Sequence, residues 1–167
     1  MDNIEYIKYT YKHRKIVMFL AEKYIKYRKN EVLEQVKKHD MDKLFLYLFY
    51  NKKDASSIHR NLTSHHENAL PKNYVDYVEM VLDWESARYT KPDKPLNAYD
   101  TLYKYYPSME ENVLPILKEL GLDVSKKDVQ EDVLNYAKSL DNISIKDIEN
   151  EMIQNIKEMF ESFSKGD

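Results

Sequence analysis

The stretch His39-Asp40-Met41-Asp42-Lys43 sets an imidazole beside a carboxylate, the donor types that hold divalent metal ions. Alone, one His-Asp pair is a weak signal. It gains meaning from the other four histidines: His13 lies upstream, and His59, His65 and His66 follow, ahead of Asp83-Trp84-Glu85. The order is a His, a His-Asp pair, further His and then an Asp, with every His in the first 66 residues. That order points to a metal site assembled from several helices.

Such a site needs elements to position it, and the hydrophobic pattern predicts helices throughout. Over 4–28, Tyr6, Tyr9, His13, Ile16, Val17, Leu20 and Tyr24 recur at helical spacing. His13 thus faces the core, as a ligand or as a hydrogen-bonded core residue. A second helix is expected from about Asn30, a suitable N-cap, to Tyr50. Its inward stripe holds Val32, Leu33, Val36, His39, Asp40, Lys43, Leu44 and Tyr47. Burying an unpartnered charge costs several kcal/mol or forces it neutral. His39, Asp40 and Lys43 therefore need partners; a metal would serve the first two, and an internal Asp40–Lys43 ion pair is the alternative. The apolar run 44–50 predicts that this helix is the central, most buried one.

Asp54 is placed to cap a third helix carrying Ala55, Ile58, His59, Leu62, His65, His66 and Ala69 on one broad side. Neighbouring His65 and His66 would point about 100° apart on a helix. One could then be a ligand and the other a substrate contact, unless this side is only a His-rich surface. Pro71 suits the first turn of a fourth helix over 72–90, with Tyr74, Val75, Val78, Val81 and Leu82 inward and Asp83 at the flank. The segment 90–97, with two Pro, reads as a loop. Tyr99, Tyr103, Tyr105 and Tyr106 follow, as aromatic packing or a stacking surface.

Ser108 with Glu111, Ser125 with Asp128 and Ser144 with Asp147 resemble N-terminal boxes, and Gly121 a C-terminal stop. Pro115 interrupts the helix it sits in. The last helix aligns Ile145, Ile148, Met152, Ile156, Met159, Phe160 and Phe163, a packing face or one for a homo-oligomer. Residues 1–106 read as the helical domain carrying the site, and 107–167 as acidic C-terminal helices packed on it.

Composition narrows the function classes. Charged residues make up 33% of the chain and the mean hydropathy is −0.74, as in a soluble protein. No apolar run reaches the roughly 18–20 residues of a membrane span. The start MDNIEYIKYTYKH has no apolar signal core, so no export is expected. Zero Cys removes thiolate sites and Cys nucleophiles and fits a cytoplasmic setting. Two Gly are too few for a Gly-rich phosphate loop. Residues 1–66 hold 14 Lys and Arg against 8 Asp and Glu, whereas 107–167 hold 7 against 14. The basic, His-bearing part fits an anionic ligand or only solvated helix faces; the acidic tail and the lack of a recognised motif speak against nucleic acid.

His13, His39-Asp40 and Asp83, in that order, resemble the HD superfamily of metal-dependent phosphohydrolases. Within it, HDMDK, HRNLTSHH and VLDWESA are similar to a small uncharacterised family of bacterial and phage proteins. The resemblance covers roughly residues 10–105, with Thr63 standing where the family pattern carries Asn. It implies an all-α, compact HD-like bundle with additional C-terminal helices. It also makes His13, His39, Asp40 and Asp83 one metal set. Two imidazoles and two carboxylates suit Mn, Fe, Co, Ni or Zn better than Ca or Mg. His59 with His65 or His66 would hold a second metal or donate to phosphate, while Lys43 and Arg60 steady an anionic substrate. The implied activity is metal-dependent hydrolysis of a nucleotide or related phosphate ester, with Asp40, Lys43 and Arg60 in the catalytic centre. The alternative is a non-catalytic helical interaction protein that keeps the fold.

Overall fold

The computed structural model describes residues 3–67, 69, 72–91, 93, 96–125 and 128–166, and among them only helices, turns and loops occur. The helices are α1 (Asn3–Tyr24), α2 (Lys29–Val36), α3 (Met41–Phe49), α4 (Lys52–Leu62), α5 (Tyr74–Thr90), α6 (Ala98–Tyr105), α7 (Glu110–Leu120), α8 (Glu131–Ser139) and α9 (Ile145–Ser164). A 3₁₀ turn, Pro107–Met109, leads into α7. The fold is all-α.

Helix α5 is the central element, against the expectation for 30–50. Twelve of its residues are buried, including Val78, Met80, Val81 and Leu82, and α1, α2, α6, α7 and α8 pack around it. The run at 44–50 instead ends at the surface, with Leu48, Phe49 and Tyr50 exposed. Buried apolar side chains fall into two clusters. One joins Ile16, Val17 and Leu20 of α1 to α5, Leu102, Leu117 and Val133. The other joins Ile7 and Tyr11 of α1 to Leu44, Tyr47, Ala55, Ile148 and Met152. His13 lies on α1 between its contributions to the two clusters. Likewise His39 and Asp40 separate Val36 of the first from Leu44 of the second. The polar site occupies the seam.

The expected helix from Asn30 to Tyr50 is two helices, and Asn30 is not its cap, since Arg28 holds that position. The break has a visible cause. Arg14, fully buried, donates Nη2 to Lys37 O and Nε to His39 O, both at 2.7 Å. Those carbonyls would otherwise accept from Met41 and Lys43 in a continuous helix. Met41 N turns to Lys38 O and Lys43 N to Asp40 O instead, and Asp40 takes φ 53°. Asp tolerates this left-handed conformation better than most residues.

Other boundaries also moved. Helix α1 stops at Tyr24, not near residue 28. Helix α4 begins after Asn51, whose side chain accepts from Asp54 N, so Asp54 is not the cap. It ends at Leu62, leaving His65 and His66 in a turn beyond it, and the 100° helical rule does not apply to them. Helix α5 is opened by a reciprocal capping box of Asn73 and Asp76; Pro71 lies outside the described residues, as do Pro92 and Pro95 of the expected loop. Ser144 caps α9 as expected, and Gly121 ends α7 at φ 68°. Ser108 lies within the 3₁₀ turn and Ser125 donates to Asp100 Oδ2 at 3.0 Å, so neither opens a helix. Helix α7 runs through Pro115. In α9 only Ile148 and Met152 of the apolar stripe are buried; Met159, Phe160 and Phe163 are exposed. Tyr99 and Tyr103 pack ring to ring at 4.8 Å, and Tyr106 stacks on Trp84 at 5.0 Å.

Candidate metal centre

His13 from α1 comes together with His39 and Asp40 from the turn before α3, and Asp83 from α5 reaches the two imidazoles. His13 Nε2 lies 3.1 Å from His39 Nε2, 2.9 Å from Asp83 Oδ1 and 3.8 Å from Asp40 Oδ2. His39 Nε2 lies 3.8 Å from Asp40 Oδ1 and 3.9 Å from Asp83 Oδ1. Donors about 2.1 Å from a shared ion stand about 3.0–3.4 Å apart, so this spread needs only small closure.

A second group gathers on Asp40 Oδ1. His59 Nε2 is 3.0 Å and His65 Nε2 3.5 Å from Asp40 Oδ1, and His66 Nε2 is 2.9 Å from His59 Nε2. The histidines after Leu62 reach it because their turn is tied down. Thr63 donates to His59 O at 3.1 Å, Ser64 to Asp76 Oδ1 at 2.8 Å, and Lys72 to Ser64 O at 3.2 Å. Thr63 thus makes a backbone contact of its own.

The outward nitrogens fix the tautomers. Ser86 Oγ donates to Asp83 O at 2.7 Å, so at 3.1 Å from His13 Nδ1 it can only accept. His39 Nδ1 faces Glu79 Oε1 at 2.9 Å, His65 Nδ1 the same oxygen at 3.3 Å, and His59 Nδ1 faces Asp42 Oδ2 at 2.8 Å. Each neutral ring therefore carries its proton on Nδ1 and turns the Nε2 lone pair inward. Asp40 Oδ1 and His65 Nε2 are buried and make no well-aligned hydrogen bond to a described residue, despite their short contacts. Lone pairs converging on lone pairs are stable only around protons or a cation. These buried groups could hold a metal ion, at His13, His39 and Asp40 and again at His59, His65 and His66. The grouping of His39, His65 and Glu79 is better explained by Glu79 orienting both rings, since its oxygen meets their Nδ1 atoms.

The ionisation of the metal-free cluster follows from burial and from the convergence of carboxylates. Burial pushes His13 below its ordinary value although Asp83 and Asp40 oppose it. Burial would raise Asp40 and Asp83, but the facing imidazoles outweigh it and hold both low, with Lys43 adding to the effect at Asp40. For His65 burial is likewise outweighed, by Asp40 and Glu79, and its pKa is raised to about 10. Glu79, against its own burial, is lowered to about 2 by His39 and His65. His66, desolvated and beside His65, is lowered to about 3.

Lys43 Nζ donates to Asp40 Oδ2 at 2.9 Å with 21% of its side chain exposed, so the Asp–Lys pair exists alongside the His cluster. Arg60 is exposed, outside the convergence, with its charge felt at the Tyr106 hydroxyl. Asp83 keeps 23% of its side chain exposed and marks the open side.

Four residues beyond the sequence reading complete the site: Arg14, Asp42, Glu79 and Ser86. A signal for two of them was present. Asp76, Glu79, Asp83, Ser86 and Thr90 form a polar stripe at helical spacing along an otherwise apolar helix. No family model, curated protein or solved structure matches the chain.

Proposed function

We propose that the protein is a metal-dependent phosphohydrolase of the HD type, acting on a nucleotide or related phosphate ester at a two-ion centre built around Asp40. The observation that carries this reading is the convergence of four Nε2 lone pairs and two carboxylates, with every opposite Nδ1 already engaged. In it, His13, His39, Asp83 and Asp40 would hold one ion, and Asp40 with His59, His65 or His66 would hold the other. The mixed imidazole and carboxylate donors favour Mn, Fe, Co, Ni or Zn. Such an ion acidifies bound water and polarises a phosphoryl oxygen.

The chain's own residues supply the rest. Ser86, Glu79 and Asp42 keep the imidazoles in the ligating tautomer. Lys43 uses one N–H on Asp40 and has others for an anionic substrate at the open side by Asp83. Arg60, farther out, would meet a more distant phosphate or ribose-linked charge.

The test is hydrolysis of nucleoside mono- and triphosphates, phosphodiesters and an aryl phosphate, read by chromatography of the products, by metal-stripped protein with Mn or Co restored. Turnover abolished by Asp83→Asn supports the reading; no turnover of any compound by protein carrying two ions would remove it. A second reading, a non-catalytic interaction protein, is favoured by the exposed Ile153, Phe160 and Phe163 on acidic α9. Metal-loaded but inactive protein would favour that reading.

A further inference from the structure

We infer that Glu79 makes the two metal sites load as a pair. This rests on the reading of the cluster as a two-ion centre, though not on its being a phosphohydrolase. Three outward partners orient four rings. Ser86 serves only His13 and Asp42 only His59, so each belongs to one site. Glu79 serves one ring of each: its Oε1 accepts from His39 Nδ1 at 2.9 Å and makes an ion-pair contact with His65 Nδ1 at 3.3 Å. The two rings lie 4.4 Å apart, centre to centre.

The carboxylate is itself held. Gln35 Nε2 donates to Glu79 Oε2 at 2.6 Å and to Asp76 Oδ1 at 2.8 Å, and Asp76 Oδ1 also accepts from Ser64, next to His65. Glu79 is 3% exposed, so water does not compete for it. A cation on His39 Nε2 makes the Nδ1–H of that ring a stronger donor and tightens its bond to Glu79. The carboxylate is then fixed where His65 needs it, with the His65 proton on Nδ1 and Nε2 left as a donor to the second ion. The ordering is needed once for both ions, and by linkage each raises the affinity of the other equally. Asp40 adds a direct bridge, but as a ligand its removal cannot separate coupling from coordination.

The experiment titrates Co into metal-stripped full-length protein, followed by calorimetry and by the visible absorption of bound Co. The wild type should take up two ions in one cooperative step. Glu79→Gln should weaken both by about 10–100-fold, the usual effect of losing an outer partner of a ligating His, and split the step in two. Ser86→Ala and Asp42→Asn leave Glu79 in place, so each should weaken uptake yet keep it in one step, with distinct spectral changes. Gln35→Ala loosens the carboxylate without touching either ring; it should also split the step, and it carries the test if Glu79→Gln does not fold. Independent uptake by the wild type, or a Glu79→Gln or Gln35→Ala effect confined to one ion, overturns the inference and leaves the metal reading standing. No uptake at all overturns both. Phosphate-ester turnover does not enter the readout, so failed hydrolysis is a separate result.

Discussion

The Nε2 atoms of His13 and His39 face each other at 3.1 Å, while the Nδ1 atoms of the same rings are engaged by Ser86 and Glu79. Two neutral rings so held have no proton to share. Either one becomes charged, beside Asp83 and Asp40, or a cation lies between them. Burial disfavours the charged form of His13, and a cation between the rings would take the place of a shared proton.

Metal should therefore stabilise the fold. A ligand bound only by the native state at roughly 100 times its Kd contributes about 2.7 kcal/mol. Verified metal-free protein should melt measurably higher in Mn, Co, Ni or Zn, as read by calorimetry. An unchanged melting temperature at saturating metal counts against the centre.

Asp40→Asn should fold, because Asn is at home at the φ of 53° found here. Lys43 keeps part of its side chain in solvent, so the stability loss should stay below the roughly 3–5 kcal/mol of a broken, fully buried pair. Metal uptake should fall at both sites, by more than the about 10–100-fold expected for an outer partner. Unaltered metal affinity in this variant would leave Asp40 as the partner of Lys43 alone.

The pH dependence has a definite sign. In metal-free protein His65 is raised to about 10, because Asp40 and Glu79 outweigh its burial. A raised folded-state pKa contributes stability fully present below the unfolded value of about 6.5 and lost as pH rises through the folded value. The metal-free protein should lose melting temperature between about pH 7 and pH 10 through this group. Metal needs the neutral ring, so binding near pH 7 should release protons, and affinity should rise with pH. Calorimetry in buffers of different ionisation enthalpy reads the proton count; no release would remove His65 as a ligand.

Arg14→Met removes the guanidinium that holds the carbonyls of Lys37 and His39. Each stranded buried acceptor costs about 1–3 kcal/mol. Urea denaturation should show that loss, and metal affinity should fall with it as the turn carrying Asp40 loosens. A variant as stable as the wild type would show that α2 and α3 break for another reason.

The all-α fold was legible from composition and period, because apolar spacing sets which helix faces are buried whatever they meet. The types and order of the candidate ligands stand in the sequence too, since coordination chemistry is carried by side chains written into the chain. What lay beyond local pattern was where helices stop. Nothing between Asn30 and Tyr50 is a Pro or a Gly, and only Arg14, arriving from α1, takes the two carbonyls that would have continued the helix. The turn beyond Leu62 likewise depends on Asp76 and Lys72, which lie beyond the helix that carries His59. Sequence set the candidate ligands; tertiary contacts chose their directions, because an imidazole points where its second nitrogen is held, and Glu79, Ser86 and Asp42 hold it from other elements or other turns of the chain.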